Sequence, residues 1–283
     1  MDKLKLEPTA ALVMRWSLNL YNEETTLRFV QQLDLTSGKT LYDKCHSICN
    51  WYSEIILNRK NFIKYLIEQE LGATKQEYQL VFLAAGKSPL SIEILSKYSS
   101  TAHRIFEVDV SGMEEKQRLY LELFPEFLQK IQFIDADIAS PDLWRLLDRP
   151  GTGFRHDLPT IVLLEGISYY LKKQELQNII SCFQQATGGK FIIEYLVPYH
   201  FVTQSRRSIP EEIFNIIQEH CGQDNIVFHT KEELRSLFLA KGGDLIASYS
   251  MVDMELARTG TTTYFKKPSD GWIECIVGRF GAS

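Results

Sequence analysis

A chain of 283 residues with 45% hydrophobic content is long enough to bury a full core, and its formal net charge of −5 excludes a general attraction to phosphate backbones or anionic membranes. Nucleic acid and membrane are therefore not expected as partners: no stretch approaches the ~20 apolar residues that span a bilayer, and residues 1–5 lead into no apolar run of signal-peptide type. The cysteines, Cys45, Cys49, Cys182, Cys221 and Cys275, are odd in number, scattered and without Cys-x-x-Cys spacing, which reads as reduced thiols and a cytoplasmic location.

Along the chain, residues 10–71 carry apolar positions at helical spacing, as in Leu27-Phe29-Val30-Leu33 and Phe62-Ile63, with no strand signal between them. This predicts a helical lid over residues 1–71. After Gly72 the pattern changes to short apolar runs separated by helical stretches, the mark of βαβ units and a mainly parallel sheet. Strands are expected at 80–83, 105–108, 131–134, 160–164 and 191–195. A helical insertion follows around 199–225, with Pro210 and an acidic amphipathic helix over 211–220. Thr230-Lys231-Glu232-Glu233 is a capping box that starts another helix. Two closing strands, at 244–252 and 272–280 and joined by a polar hairpin through residues 266–271, complete a seven-stranded, doubly wound α/β sheet over residues 72–283.

In such a sheet, ligands bind outside the carboxyl ends of the strands. The run Leu80-Val81-Phe82-Leu83 breaks into Ala84-Ala85-Gly86, and Ile105-Phe106-Glu107-Val108-Asp109 ends in acid. Small residues there let backbone N–H groups approach a ligand, and a carboxylate about 20 residues on accepts from ribose hydroxyls. The Gly-x-Gly-x-x-Gly pattern that cradles pyrophosphate is absent, so a nucleoside without phosphates is expected, and the common cofactor of that kind is S-adenosylmethionine. Carboxylates also gather on this edge: Glu107, Asp109, Asp135, Asp137, Glu165 and Glu194. Singly, each suits a loop or a helix start. Jointly they suit ribose hydroxyls, an adenine amino group, a sulfonium and an ammonium.

These segments resemble the leucine carboxyl methyltransferase family, which also contains carboxyl methyltransferases acting on polyketides. The resemblance covers roughly residues 58–171 and rests on Arg59 heading a helix, Leu83-Ala84-Ala85-Gly86, Phe106-Glu107-Val108-Asp109, Asp137-Ile138, and the run Leu164-Glu165-Gly166-Ile167-Ser168-Tyr169-Tyr170-Leu171. It implies a class I methyltransferase-like fold in which Arg59 contacts the methionine carboxylate, with Ala85 and Gly86 beneath it. Asp109 would hold the ribose, Asp137-Ile138 bracket adenine, and Glu165 lie near the methionine end. The family's first loop usually reads Leu-Gly-Ala-Gly-Leu-Asp-Thr-Arg; here Ala84 replaces a glycine, Lys87 a leucine, Ser88 the aspartate and Leu90 the arginine. A methyl group at Ala84 is tolerated if φ stays negative there. Lys87 is expected in solvent. By itself Arg59 fits two descriptions, a snorkelling side chain with its head in water or a bidentate carboxylate fork.

Methyl transfer from a sulfonium needs positioning more than covalent help. A carboxylate acceptor is ionised at pH 7 and requires no base, whereas a hydroxyl usually wants one. His200, in Val197-Pro198-Tyr199-His200-Phe201 after the fifth strand, is the candidate catalytic base, with Tyr21, Tyr169 and Tyr199 as candidate substrate-binding residues. Trp16 and Tyr21 are placed nearer the cleft and Trp51 and Tyr52 in the core, while Arg206-Arg207 read as solvated charges. Ser168 lacks the Gly-x-Ser-x-Gly elbow and is structural, and no metal-ligand spacing occurs. The expected activity is O-methylation of a carboxyl or hydroxyl group on a small natural product, a peptide or polyketide. The alternatives are methylation of a protein C-terminal carboxylate and a non-catalytic nucleoside-binding module.

Overall fold

A computed structural model describes residues 3–186, 188–221 and 226–280. Its main sheet has seven strands: β1 (Tyr78–Leu83), β2 (Ala102–Asp109), β3 (Ile131–Asp135), β4 (Thr160–Leu164), β5 (Lys190–Leu196), β6 (Gly243–Tyr249) and β7 (Ile273–Phe280). Their order is β3-β2-β1-β4-β5-β7-β6. The first five run parallel, in a register that sets Val81 beside Phe106 on one side and Val162 on the other. β7 is antiparallel to both β5 and β6. Strand β4 is buried along its whole length, as expected for a parallel strand covered by helices on both faces. Strand order reverses between β1 and β4, so the chain leaves the sheet in opposite directions there and opens a crevice at the carboxyl ends of these strands.

The helices are α1 (Pro8–Ser17), α2 (Glu24–Val30), α3 (Lys39–Ile48), α4 (Ser53–Gly72), α5 (Leu90–Tyr98), α6 (Met113–Leu123), α7 (Leu143–Leu147), α8 (Lys173–Cys182), α9 (Ser208–Cys221), α10 (Lys231–Leu239) and α11 (Met251–Thr259). Pro8 opens α1, where its fixed φ is pre-set and its missing N–H costs nothing. Helix α4 buries Ile55, Ile56, Phe62, Ile63 and Ile67, and packs against α1, α5 and α11. Helix α9 touches both α1 and α3, so the insertion and the N-terminal helices meet over the crevice. No described helix is long and apolar enough to cross a membrane.

Three local readings differ from the sequence expectation. Leu4–Lys5 and Leu33–Asp34 form a small parallel pair within the helical N-terminal region, too short to leave any periodicity. The strand expected to reach residue 252 stops at Tyr249, because Asp253 accepts from both the N–H and the hydroxyl of Ser250 at 2.7 Å and starts α11. The link to β7 is therefore this helix and a short turn at Pro268–Asp270, not a hairpin. The capping box at Thr230 forms as read, with Glu233 N–H on Thr230 Oγ1 at 3.1 Å and the reciprocal bond at 3.0 Å. Residues 222–225 of the insertion lie outside the described residues.

Candidate active site

A cavity of about 840 Å³ lies over the carboxyl ends of β1, β2 and β4, within the size range of small-ligand sites. Its polar floor contains Ala85, Gly86, Asp109, Asp137, Ile138 and Glu165, which the family resemblance assigns to a cofactor. A side chain at Gly86 would meet no atom within 4 Å, so the backbone there faces open space, and its φ of 50° favours glycine. Asp109 Oδ2 accepts the Gly86 N–H at 2.8 Å and Oδ1 accepts the Val110 N–H at 2.8 Å, tying the loop after β1 to the end of β2. Asp137 is exposed and accepts from the Ala139 N–H, with Ile138 buried beside it. Asp135 instead caps α6 by accepting the Met113 N–H, and Glu107 borders the cavity at its base while itself almost fully buried.

The loop corrects one expectation. Ala84 stands at φ 55°, not in the negative region, and is the one left-handed non-glycine among the described residues. A β-carbon in that conformation costs roughly 1–2 kcal/mol, strain the surrounding fold must hold. Lys87 is corrected as well: it is largely buried, lines the cavity, and bonds the Gly112 carbonyl, with Glu115 Oε2 at 3.5 Å.

Arg59 sits on α4 with its head out of water, against the snorkelling description. Nη1 lies 3.0 Å from Glu194 Oε1, and Nη2 lies 3.5 Å from Glu165 Oε1; Tyr169 Oη is 3.5 Å from Nη1. Lys60 Nζ reaches the same Glu165 oxygen at 2.8 Å. Burial opposes the Arg59 charge, but the surrounding groups, Glu194 first, hold the guanidinium above its ordinary value. Burial likewise works against ionised Glu165, yet Lys60 and Arg59 outweigh it and keep this carboxyl below the usual range. Glu194 goes the other way: burial, helped by Glu165, pushes it up, while its second oxygen accepts the Gly166 N–H at 2.8 Å. The environment thus drives the two glutamates apart.

The substrate-side expectations divide. Tyr169 lines the cavity, together with Trp16 and with Tyr52, which is buried in the core as the sequence places it and borders the cavity as well. Tyr21 is buried at a separate small cavity of about 40 Å³ that shares Lys60 and Glu165 with the large one. Tyr199 does not line the large cavity; it packs edge-on against Phe228 and donates to the Pro210 carbonyl at 3.4 Å. His200 does not line it either. After Pro198 the chain enters a short turn that leaves the imidazole exposed against Phe201, while Arg207 holds the His200 carbonyl at 2.8 Å. Position after β5 was legible, but side-chain direction was not. Arg206 is not merely solvated, since it lies over the Trp51 ring at 5.2 Å. Ser168 is structural, donating to the Glu194 carbonyl.

The opposite wall is apolar, built by Leu6, Val13 and Met14 from the N-terminal segment and α1, and by Phe214 and Ile217 from α9. No histidine is among the described residues that line the cavity. Sequence reasoning missed Lys60 and Lys116; in both cases the available signal was a lysine on a buried helical stripe.

The sequence model of leucine carboxyl methyltransferase matches residues 18–184. The chain belongs to the leucine carboxyl methyltransferase family. No curated protein gives a significant match. Among solved structures, a protein from Thermobifida fusca described as a candidate methyltransferase shares 14% identity over 98% of this chain and 96% of its own, with a TM-score of 0.67. A DUF574 family protein from Streptomyces avermitilis shares 14% identity over 97% and 98%, at a TM-score of 0.66. Magnesium protoporphyrin IX methyltransferase from Synechocystis, solved with SAH bound, shares 12% over 86% and 94%, at 0.51. These likenesses show the class I methyltransferase fold. The cofactor of this family member is S-adenosylmethionine. The polar floor fits it: open space over Gly86, acceptors at Asp109 and Asp137, and an Arg59 whose Nε has no partner although it is buried.

Proposed function

We propose that this methyltransferase esterifies the carboxyl group of a small apolar acid, a peptide or polyketide of natural-product type. Asp109 and Asp137 would take the ribose and adenine, with Ile138 under the ring, and Arg59 with Glu165 would take the two charges of the methionine end. Bound there, S-adenosylmethionine supplies a methyl group on a sulfonium; a carboxylate oxygen bonds to that carbon as the carbon–sulfur bond breaks, giving a methyl ester and the neutral thioether. No proton moves in that exchange. The apolar wall of Val13, Met14, Phe214 and Ile217 would hold the acceptor's carbon skeleton and keep water from competing.

The observation that carries carboxyl over hydroxyl is the lack of an imidazole among the described lining residues, with His200 turned outward. Tyr169 does not replace it, because burial first and then Glu194 hold its hydroxyl well above the ordinary value, so it keeps its own proton and accepts from Arg59 Nη1 instead of serving as a base. The test is incubation with methyl-labelled cofactor and a panel of small acids and phenols, then mild base. Carboxyl esters release labelled methanol; label that resists base identifies an ether and overturns the carboxyl reading. The family's name favours one second reading, a protein C-terminal carboxylate, which would put base-labile label into an intact protein. Cofactor binding without turnover on every acceptor would leave the non-catalytic module.

A further inference from the structure

Lys116 is fully buried on α6, on the stripe Met113, Lys116, Leu119 and Tyr120 that faces the sheet. An unpaired ammonium there would be costly. Its Nζ is instead bound on three sides: Glu107 Oε2 at 2.5 Å, the Gly86 carbonyl at 3.0 Å and the Ser88 carbonyl at 2.8 Å. Glu107, on β2, is 1% exposed and also accepts from Ser91 Oγ at 2.5 Å, at the start of α5. One ammonium therefore fastens two carbonyls of the loop after β1, and its counter-ion fastens the helix that follows. Burial lowers the Lys116 pKa, and Glu107 acts against that shift.

This loop departs from the family pattern where it would supply its own charges: Ser88 stands for the aspartate and Leu90 for the arginine, while Ala84 holds a left-handed conformation without glycine. A loop that holds a left-handed alanine needs its backbone fixed from outside. We infer that Lys116 is a positioning residue for cofactor binding: from beneath, it fixes the Gly86–Ser88 backbone in the shape that keeps the space over Gly86 open and, through the Gly86 N–H, holds Asp109 toward the nucleoside. The inference rests on the proposed seat of the cofactor over Gly86 and Asp109. Lys116 itself touches no ligand. Its reach is through two carbonyls, so the consequence falls on cofactor affinity and not on the apolar acceptor wall.

Calorimetry of the full chain with S-adenosylmethionine tests this on Lys116→Met, on the pair Lys116→Met/Glu107→Leu, and on Asp109→Ala. Lys116→Met should weaken binding by at least about tenfold and lower the thermal midpoint. The double variant removes both buried charges, so its midpoint should return toward the parent, while affinity stays weak because the two carbonyls remain unheld. Recovery of affinity along with the midpoint would overturn the inference, reducing Lys116 to a counter-ion. If Asp109→Ala weakens binding and Lys116→Met does not, the inference alone fails; if neither does, the seat of the cofactor is wrong. Should the variants not fold, amide exchange on the unaltered, ligand-free protein decides: protection of residues 85–88 comparable to strand β1 is expected, and exchange as fast as an open loop would contradict a brace.

Discussion

The two halves of the cavity are built on different principles. The floor is made of backbone and acids at strand ends, with two cations from α4, tied together by named bonds: Asp109 to Gly86, Glu194 to Gly166, Arg59 to Glu194, Lys60 to Glu165. The facing wall is made of apolar side chains on α1 and α9, elements whose main contacts are with other helices. The lesson is a division of labour: directional bonds at the floor suit one fixed ligand, while a wall held by non-directional packing can change its lining without disturbing the floor.

That contrast can be broken most forcefully at Arg59. Arg59→Met leaves Glu194 buried without a cation and should cost about 3–5 kcal/mol of folding stability, read by urea unfolding, along with cofactor binding. A loss confined to acceptor turnover would place Arg59 on the wrong half. Next in size, Asp109→Ala should weaken S-adenosylmethionine by roughly 1–3 kcal/mol in calorimetry, with the apolar acceptor's KM unchanged. The mirror experiment is Ile217→Ala. It should lower kcat/KM for the acceptor by about 1–2 kcal/mol and leave cofactor affinity as it was; equal losses in both would erase the distinction between the halves.

Much of this arrangement was legible in the chain. The breaks Leu83-Ala84-Ala85-Gly86 and Val108-Asp109 end two adjacent parallel strands, and strand periodicity is enough to bring their ends together. The partners of the acids were not legible. Which carboxylates meet Arg59 depends on the angle between α4 and the sheet, so Glu194, by sequence only one acid of a rim, is its nearest anion. Tyr199 and His200 failed for the related reason that a turn after Pro198 sets side-chain direction, and no period records it. Glu107 looks like a rim acid because it lies two residues before Asp109, but alternation along a strand fixes only the face a side chain takes, and the depth of Glu107 goes with Lys116 beneath it.

Two smaller effects sharpen the comparison. Ala84→Gly should raise stability by up to about 1 kcal/mol, since it removes a β-carbon from a left-handed position on the floor; denaturant unfolding reads it, and a loss would mean that the methyl packs usefully. On the other side, His229 is buried near the turn that carries Tyr169. Its backbone N–H donates to the Leu196 carbonyl at 3.0 Å, and the nearby Val227 N–H holds the Tyr169 carbonyl at 2.9 Å. Burial first, then Lys173, lowers the His229 pKa from its ordinary 6.5. The unfolded chain therefore binds the proton more readily, so stability is full above about pH 6.5 and declines as pH falls through that value toward the lowered one. His229→Asn should flatten the loss of stability between about pH 7 and 5; an unchanged slope would show that this imidazole does not contribute to it.

A crystal structure of the full chain with S-adenosylhomocysteine tests the central claim most directly. The account predicts the ribose hydroxyls on Asp109, adenine against Ile138 beside Asp137, and the amino-acid end between Arg59 and Glu165, with the apolar wall of α1 and α9 left to the acceptor. A nucleoside seated on that wall, or a ribose with no contact to Asp109, would contradict it.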